Sequence, residues 1–282
     1  MQDIQKYMNK FIIFSILLIV AVDMQGSSPR YLELADSADM LIQKERWVEA
    51  ETTILKALRL EPANFSNALL LSNLGLVREN LGKMDEAIEA FTLGLSLSPS
   101  STVLYNNRAR SYLLTGEYEK ADKDITESLR IDSIQELPLT MKGYMEIKKN
   151  NLEDAKKVFL KLEKKFPDNK SYLNGLATIA ETEGNFEEAL RYYDKAIESD
   201  PENEELYPSR ILLKIRMDKY SEASADIHQS IQKFPENPMF YLLRGYLHKL
   251  NYRNEEAEAD RKIAISKGID IQLVDEFIPI RR

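Results

Sequence analysis

The 282-residue chain is 44% hydrophobic and 30% charged, enough apolar material for a packed core. Its lack of cysteine excludes a disulfide scaffold, a Cys-ligated metal site and a thiol nucleophile, and two histidines leave little for a histidine-built metal centre. The formal net charge of −8 argues against nucleic acid or an anionic membrane as the main partner.

At the N-terminus, Phe11 to Val22 (FIIFSILLIVAV) carries no charge and follows Lys6 and Lys10. Twelve helical residues rise about 18 Å, short of the roughly 30 Å of a bilayer core. Residues 1–30 therefore read as a secretory leader, with an uncleaved anchor or a buried helix left open. Met8 offers a second start, and Asp23-Met24-Gln25-Gly26-Ser27 lacks a clean small-x-small cleavage signature. The matching expectation is an exported protein of a bacterial periplasm or cell envelope, with no stable membrane embedding once the leader is removed.

Beyond residue 30 a period governs the chain. Ala87, Ala121, Ala155, Ala189, Ala223 and Ala257 recur every 34 residues, with Ala50 placed 37 upstream. Pro99, Ser133, Pro167, Pro201 and Pro235 keep the same step, again with Pro62 at 37. The spacing predicts two helices per unit. In residues 170–203, Leu173, Leu176, Ala177 and Ala180 form one i, i+3, i+4, i+7 stripe, and Phe186, Ala189, Leu190, Tyr193, Ala196 and Ile197 form the next. Gly184-Asn185 breaks between them, and Asp200-Pro201 closes the second. Gly82, Gly116, Asn150, Gly184 and Asp218 occupy the equivalent turn of successive units.

These residues resemble the tetratricopeptide repeat family. Leu71, Leu74-Gly75, Met84, Ala87, Phe91, Gly94 and Pro99 follow its pattern, as do Leu173, Leu176-Ala177, Phe186, Ala189, Tyr193, Ala196 and Pro201. Seven units tile residues 31–271: 31–64, 68–101, 102–135, 136–169, 170–203, 204–237 and 238–271. The triplet Phe65-Ser66-Asn67 supplies the 37-residue step. The resemblance implies an all-α, right-handed superhelical solenoid of antiparallel helix hairpins, with first helices lining a concave surface. Asn254 and Arg261 replace bulky apolar residues in the last unit, as a solvent-facing cap would. Ile271, Val274 and Ile278 then form a short apolar stripe that suggests a partial capping helix ended by Pro279, and residues 272–282 read as a C-terminal cap or tail. Ile211 stands where its column is otherwise small.

No catalytic constellation accompanies the repeats. The chain has no GxxxxGK[ST], HExxH or GxSxG motif, and His228 and His248 read as surface or capping residues. Neither an enzyme, a cofactor nor a metal is expected. Alternating charge on helix faces, such as Asp122-Lys123-Asp124, reads as solvated pairing. Under the family resemblance, the inward positions of the first helices include Asn106, Arg110, Thr140, Tyr144, Asn174, Thr178, Glu181, Leu212, Met239 and Tyr246. This mixture of amide, aromatic and aliphatic groups suits an extended peptide or a helix. The carboxylate clamp with which some family members hold chaperone tails is incomplete, since only Asn73 and Asn107 match one of its columns. Residues 181–205 carry ten acids against Arg191 and Lys195, while 136–170 carry nine Lys against six acids, so the surface is bipolar. The expected function is a monomeric, non-catalytic scaffold holding a protein or peptide, possible settings being envelope assembly or secretion. A self-associating solenoid and a regulatory subunit of a separate enzyme are the alternatives.

Overall fold

A computed structural model describes residues 27–168 and 170–279. The leader run Phe11–Val22 lies outside the described residues. Among those described, every regular element is helical, so the fold is an all-α series of helix hairpins. They are α1 (Pro29–Gln43) with α2 (Trp47–Leu60), α3 (Asn67–Asn80) with α4 (Met84–Leu97), and α5 (Thr102–Thr115) with α6 (Tyr118–Ile131). Next come α7 (Glu136–Lys148) with α8 (Leu152–Lys165), and α9 (Ser171–Thr182) with α10 (Phe186–Ser199). Then follow α11 (Tyr207–Arg216), preceded by a single 3₁₀ turn, with α12 (Tyr220–Lys233), and α13 (Pro238–Leu250) with α14 (Asn254–Ser266). A short α15 (Ile271–Phe277) follows. The chain divides into two compact units within α8, after Val158.

Each hairpin is made by one backbone device. A residue one or two places past the first helix enters the left-handed region, and the next N–H reaches back five residues to a helical carbonyl. Gly116 does so at φ 81°, with Glu117 N–H bonded to Tyr112 O at 2.8 Å. The same bond joins Arg46 to Leu41, Lys83 to Arg78, Asn151 to Glu146, Asn185 to Ala180, Lys219 to Lys214 and Arg253 to His248, at 2.8–2.9 Å. Where the column lacks glycine the conformation persists, at Glu45, Asn150, Asp218 and Tyr252 with φ 55–61°.

The alanine column sets how closely paired helices approach. Ala50, Ala87, Ala121, Ala155, Ala189, Ala223 and Ala257 are all fully buried, at 0–1% exposure. Gly75 serves the same end, because a Cβ there would sit 2.3 Å from the Phe91 ring. Burying an aromatic such as Phe91 contributes roughly 1.5–3 kcal/mol, and only a small partner leaves room for it. In unit one, Tyr31, Ala35 and Ala38 of α1 pack with Ile54 and Ala57 of α2 and Leu70, Leu71 and Leu74 of α3. In unit two, Ile211 and Ile215 of α11 pack with Ala223 and Ile227 of α12 and Phe240, Leu243 and Leu247 of α13. Core thus passes from hairpin to hairpin inside each unit, which is how a repeat that covers one face alone gains stability.

The C-terminus corrects one expectation. Arg261 does not face solvent as a polar cap; it is buried, and its guanidinium donates to Asp275 Oδ1 of α15 at 2.6 Å. Val274 and Ile278 bury against Leu242, Ala257 and Ala264. α15 covers the last hairpin as a further first helix would, and Asp275 supplies the charge that a buried arginine needs.

Candidate functional site

The ten expected contact residues all lie on first helices, four in unit one and six in unit two, and the structure gives them different environments. In unit one, Asn106 is buried on α5; its amide donates to Gln135 Oε1 at 3.2 Å, while its Oδ1 has no hydrogen-bond partner. Arg110, one turn on, is 2% exposed, and its guanidinium is committed inside the fold to Glu79 of α3. Ser111 donates to the other Glu79 oxygen at 2.6 Å. Arg110 therefore braces two successive first helices and is withdrawn from any partner. Thr140 of α7 is buried and closes on its own helix, donating to Glu136 O at 2.9 Å. Tyr144, one turn further on α7, is half-buried.

In unit two, Asn174 of α9 is buried with its Oδ1 unpartnered. Thr178 is half-buried and donates to the Asn174 carbonyl at 2.8 Å. Glu181 is also half-buried; it accepts from Tyr193 OH at 3.1 Å and forms an ion pair with Arg216. The Arg216 guanidinium in turn lies 5.1 Å from the Phe186 ring centroid, so this corner is fixed by charge and stacking together. Leu212 of α11 and Met239 of α13 are half-buried, resting on the core with part of each side chain outward. Tyr246 meets Phe277 of α15 edge to face at 5.2 Å.

Two features escape the column reading. Glu79 shares no side-chain type with its successors Leu113 and Ile147, so nothing in the period marks it as the partner of Arg110. By contrast, an Arg–Asp pair sixteen residues apart recurs in three hairpins. Arg108 grips Asp124 at 2.7 and 2.8 Å, Arg210 grips Asp226 at 2.9 Å twice, and Arg244 grips Asp260 at 2.6 and 2.9 Å. Arg108 and Arg210 also reach the second helix of the preceding hairpin, at Thr92 Oγ1 and Asp194 Oδ1 respectively. That signal was present as two matched columns. These charges are consumed internally. Among the described residues no cluster of three or more His, Asp or Glu is arranged to hold a metal, and no helix is long and apolar enough to cross a membrane.

Serial hairpins with a small-residue column, a left-handed turn and an amide-bearing first-helix face define a repeat protein of the tetratricopeptide class. Family models for the tetratricopeptide repeat match residues 68–101, 103–135 and 140–204. A tetratricopeptide repeat protein from Parabacteroides merdae is 30% identical, with 89% of this chain and 98% of that one aligned at a TM-score of 0.79. The chain belongs to the tetratricopeptide repeat family. RNA polymerase II-associated protein 3 of Rattus norvegicus is 31% identical over 112 residues, 40% of this chain and 17% of that protein. DnaJ homolog subfamily C member 7 of Homo sapiens is 32% identical over 105 residues, 36% of this chain and 21% of that protein. The chain thus spans about a fifth of these curated relatives. Members of the family generally mediate protein–protein interaction, on a fold that is generally a non-catalytic scaffold.

Proposed function

We propose that this protein is a non-catalytic scaffold that holds an extended peptide or protein segment against the face of its first helices. Asn106 and Tyr144 are the contacting residues of unit one, and Asn174, Thr178, Leu212, Met239 and Tyr246 are those of unit two, each set taken by itself. One observation carries the reading. Asn106 and Asn174 stand at the same repeat position, both are more than nine-tenths buried, and each leaves its Oδ1 without a hydrogen bond. A buried acceptor left unpaired costs about 1–3 kcal/mol, and a backbone N–H of a bound segment removes that cost once the side chains covering the oxygen move aside to admit it. Half-buried Leu212, Met239 and Tyr246 then give such a segment apolar footing. The reading includes export to a bacterial envelope, where assembly or secretion complexes need scaffolds, and a monomeric state. It draws on the apolar, uncharged run at residues 11–22 for the first of these.

The test is Asn174→Ala, which removes a side-chain oxygen that makes no hydrogen bond within the fold. Partner capture by the variant is expected to weaken about fivefold to tenfold, the equivalent of one lost hydrogen bond of about 1–1.5 kcal/mol. The unfolding midpoint should stay in place. Unchanged capture would remove Asn174 from the contact surface and with it the observation on which the reading rests.

A further inference from the structure

Five large apolar side chains of unit one stay exposed along one edge, where each second helix ends and the next first helix begins. Leu60 closes α2, Phe65 lies in the α2–α3 connection, Leu97 closes α4, Val103 opens α5, and Ile134 lies in the α6–α7 connection. Phe65 is 89% exposed and the other four are 43–47% exposed. The repeat pattern does not require this. At the same position as Leu60, Leu97 and Ile131, unit two carries Lys165, Ser199, Lys233 and Lys267. At the position of Ile134 it carries Asp168, Glu202, Glu236 and Asp270. In unit two the comparable junctions keep one such side chain, Ile271 at the start of α15, 53% exposed, so the apolar edge is concentrated in unit one.

The described chain begins at that edge. Asn64 Nδ2 donates to Ser27 Oγ at 2.7 Å, and the Ser28 N–H and hydroxyl both donate to Glu61 Oε1, at 2.8 and 2.5 Å. Ser27 is thereby fixed next to the α2–α3 connection, which follows Leu60 and carries Phe65. Only four residues, Asp23 to Gly26, separate it from the apolar run Phe11–Val22, and the five extended steps from Val22 to Ser27 reach at most about 18 Å. A bilayer that takes up this run is held within that distance of the edge.

We propose that the Leu60–Phe65–Leu97–Val103–Ile134 edge is a lipid-facing surface, resting on the neutral face of the bilayer that takes up Phe11–Val22. A run too short to span gives shallow attachment by itself, and a second apolar contact beside it strengthens the hold. Phe65, the most exposed of the five, enters the interface, where aromatic rings are favoured. With a net charge of −8 the chain has no general attraction to anionic headgroups, so the contact is apolar and works on uncharged lipid. The inference goes beyond the protein-binding reading and concerns the chain that retains its leader run.

The full 282-residue chain is the molecule to test, and its lack of cysteine makes single-site labelling clean. Phe65→Cys and Tyr252→Cys variants carry a polarity-sensitive dye; Tyr252 is 86% exposed in unit two and serves as control. Phosphatidylcholine vesicles are expected to shift the dye at position 65 to shorter wavelength and to leave that at 252 unmoved. Phe65→Ser combined with Leu97→Ser should weaken vesicle partition about tenfold, with helicity unchanged. Three results overturn the proposal: no vesicle binding, vesicle binding with the dye at 65 still in water, or a vesicle-independent shift accompanied by dimers in light scattering. The last would make the edge a contact between copies. Failure of Asn174→Ala to affect partner capture would leave this proposal standing, so the two readings fail separately.

Discussion

Tyr252 occupies a backbone position that costs a side chain. At φ 61° it repeats the conformation that Gly82, Gly116 and Gly184 adopt freely, and its ring is 86% exposed, so little packing offsets the strain. Tyr252→Gly is expected to raise the stability of unit two by roughly 1 kcal/mol, read as a higher urea midpoint; a lower midpoint would show that the ring contributes packing. Tyr31 is constrained in another way. It is fully buried on α1, donates to Asn67 Oδ1 at 2.9 Å, and burial, then the charge of Glu61, pushes its pKa up to about 12. A phenol free in the unfolded chain titrates near 10. The stability linked to a raised pKa is fully present below the unfolded value and is lost as pH rises towards the folded one. Unit one should therefore lose stability between about pH 10 and pH 12. In Tyr31→Phe the Tyr31-linked part of that decline disappears, while stability at neutral pH drops by about 1–2 kcal/mol because Asn67 Oδ1 loses its donor. An unaltered alkaline profile would contradict the assignment.

At the scale of the element, polar and apolar solutions to one contact alternate along the chain. The crossing filled by Leu74 with Ala90 in the second hairpin is filled by Arg108 with Asp124 in the third, and by Arg244 with Asp260 in the seventh. Such pairs are nearly neutral when exchanged whole and costly when halved. Asp124→Ala alone should destabilise by about 3–5 kcal/mol, since it strands a partly buried arginine. Arg108→Leu with Asp124→Ala, which copies the second hairpin, should recover most of that loss. A double variant as unstable as the single one would mean that the ion pair is not an exchangeable unit. Helix order, turn sites and the small columns were readable because each is enforced again in every hairpin by the same backbone or packing need. Glu79 with Arg110 occurs once and joins positions 31 residues apart, so no column records it, and Arg110 reads from sequence as a contact residue. Arg261 misleads for a related reason: its partner Asp275 lies past the last full repeat, where the period stops.

Over the whole molecule, the repeats absorb most strong chemistry internally. Buried arginines are paired, the aromatic residues largely fill space left by alanine and glycine, and the two unsatisfied Asn oxygens stand on first helices. That distribution was only partly foreseeable, because the sequence places residues on the first-helix face without saying which of them a neighbouring helix will satisfy. Asn106 and Asn174 share their column with Thr140, yet Thr140 closes on its own helix and the two amides leave an acceptor open. The first-helix face is where a partner is expected to bind. The most direct measurement places a photo-crosslinking residue at Tyr144 or Leu212 and, for comparison, at Lys157, whose side chain is 72% exposed on a second helix. In-cell irradiation is expected to yield a discrete protein adduct from Tyr144 and one from Leu212, the latter diminished by Asn174→Ala in the same unit, and none from Lys157. Equal adducts from all three positions, or none from either first-helix site, would contradict it.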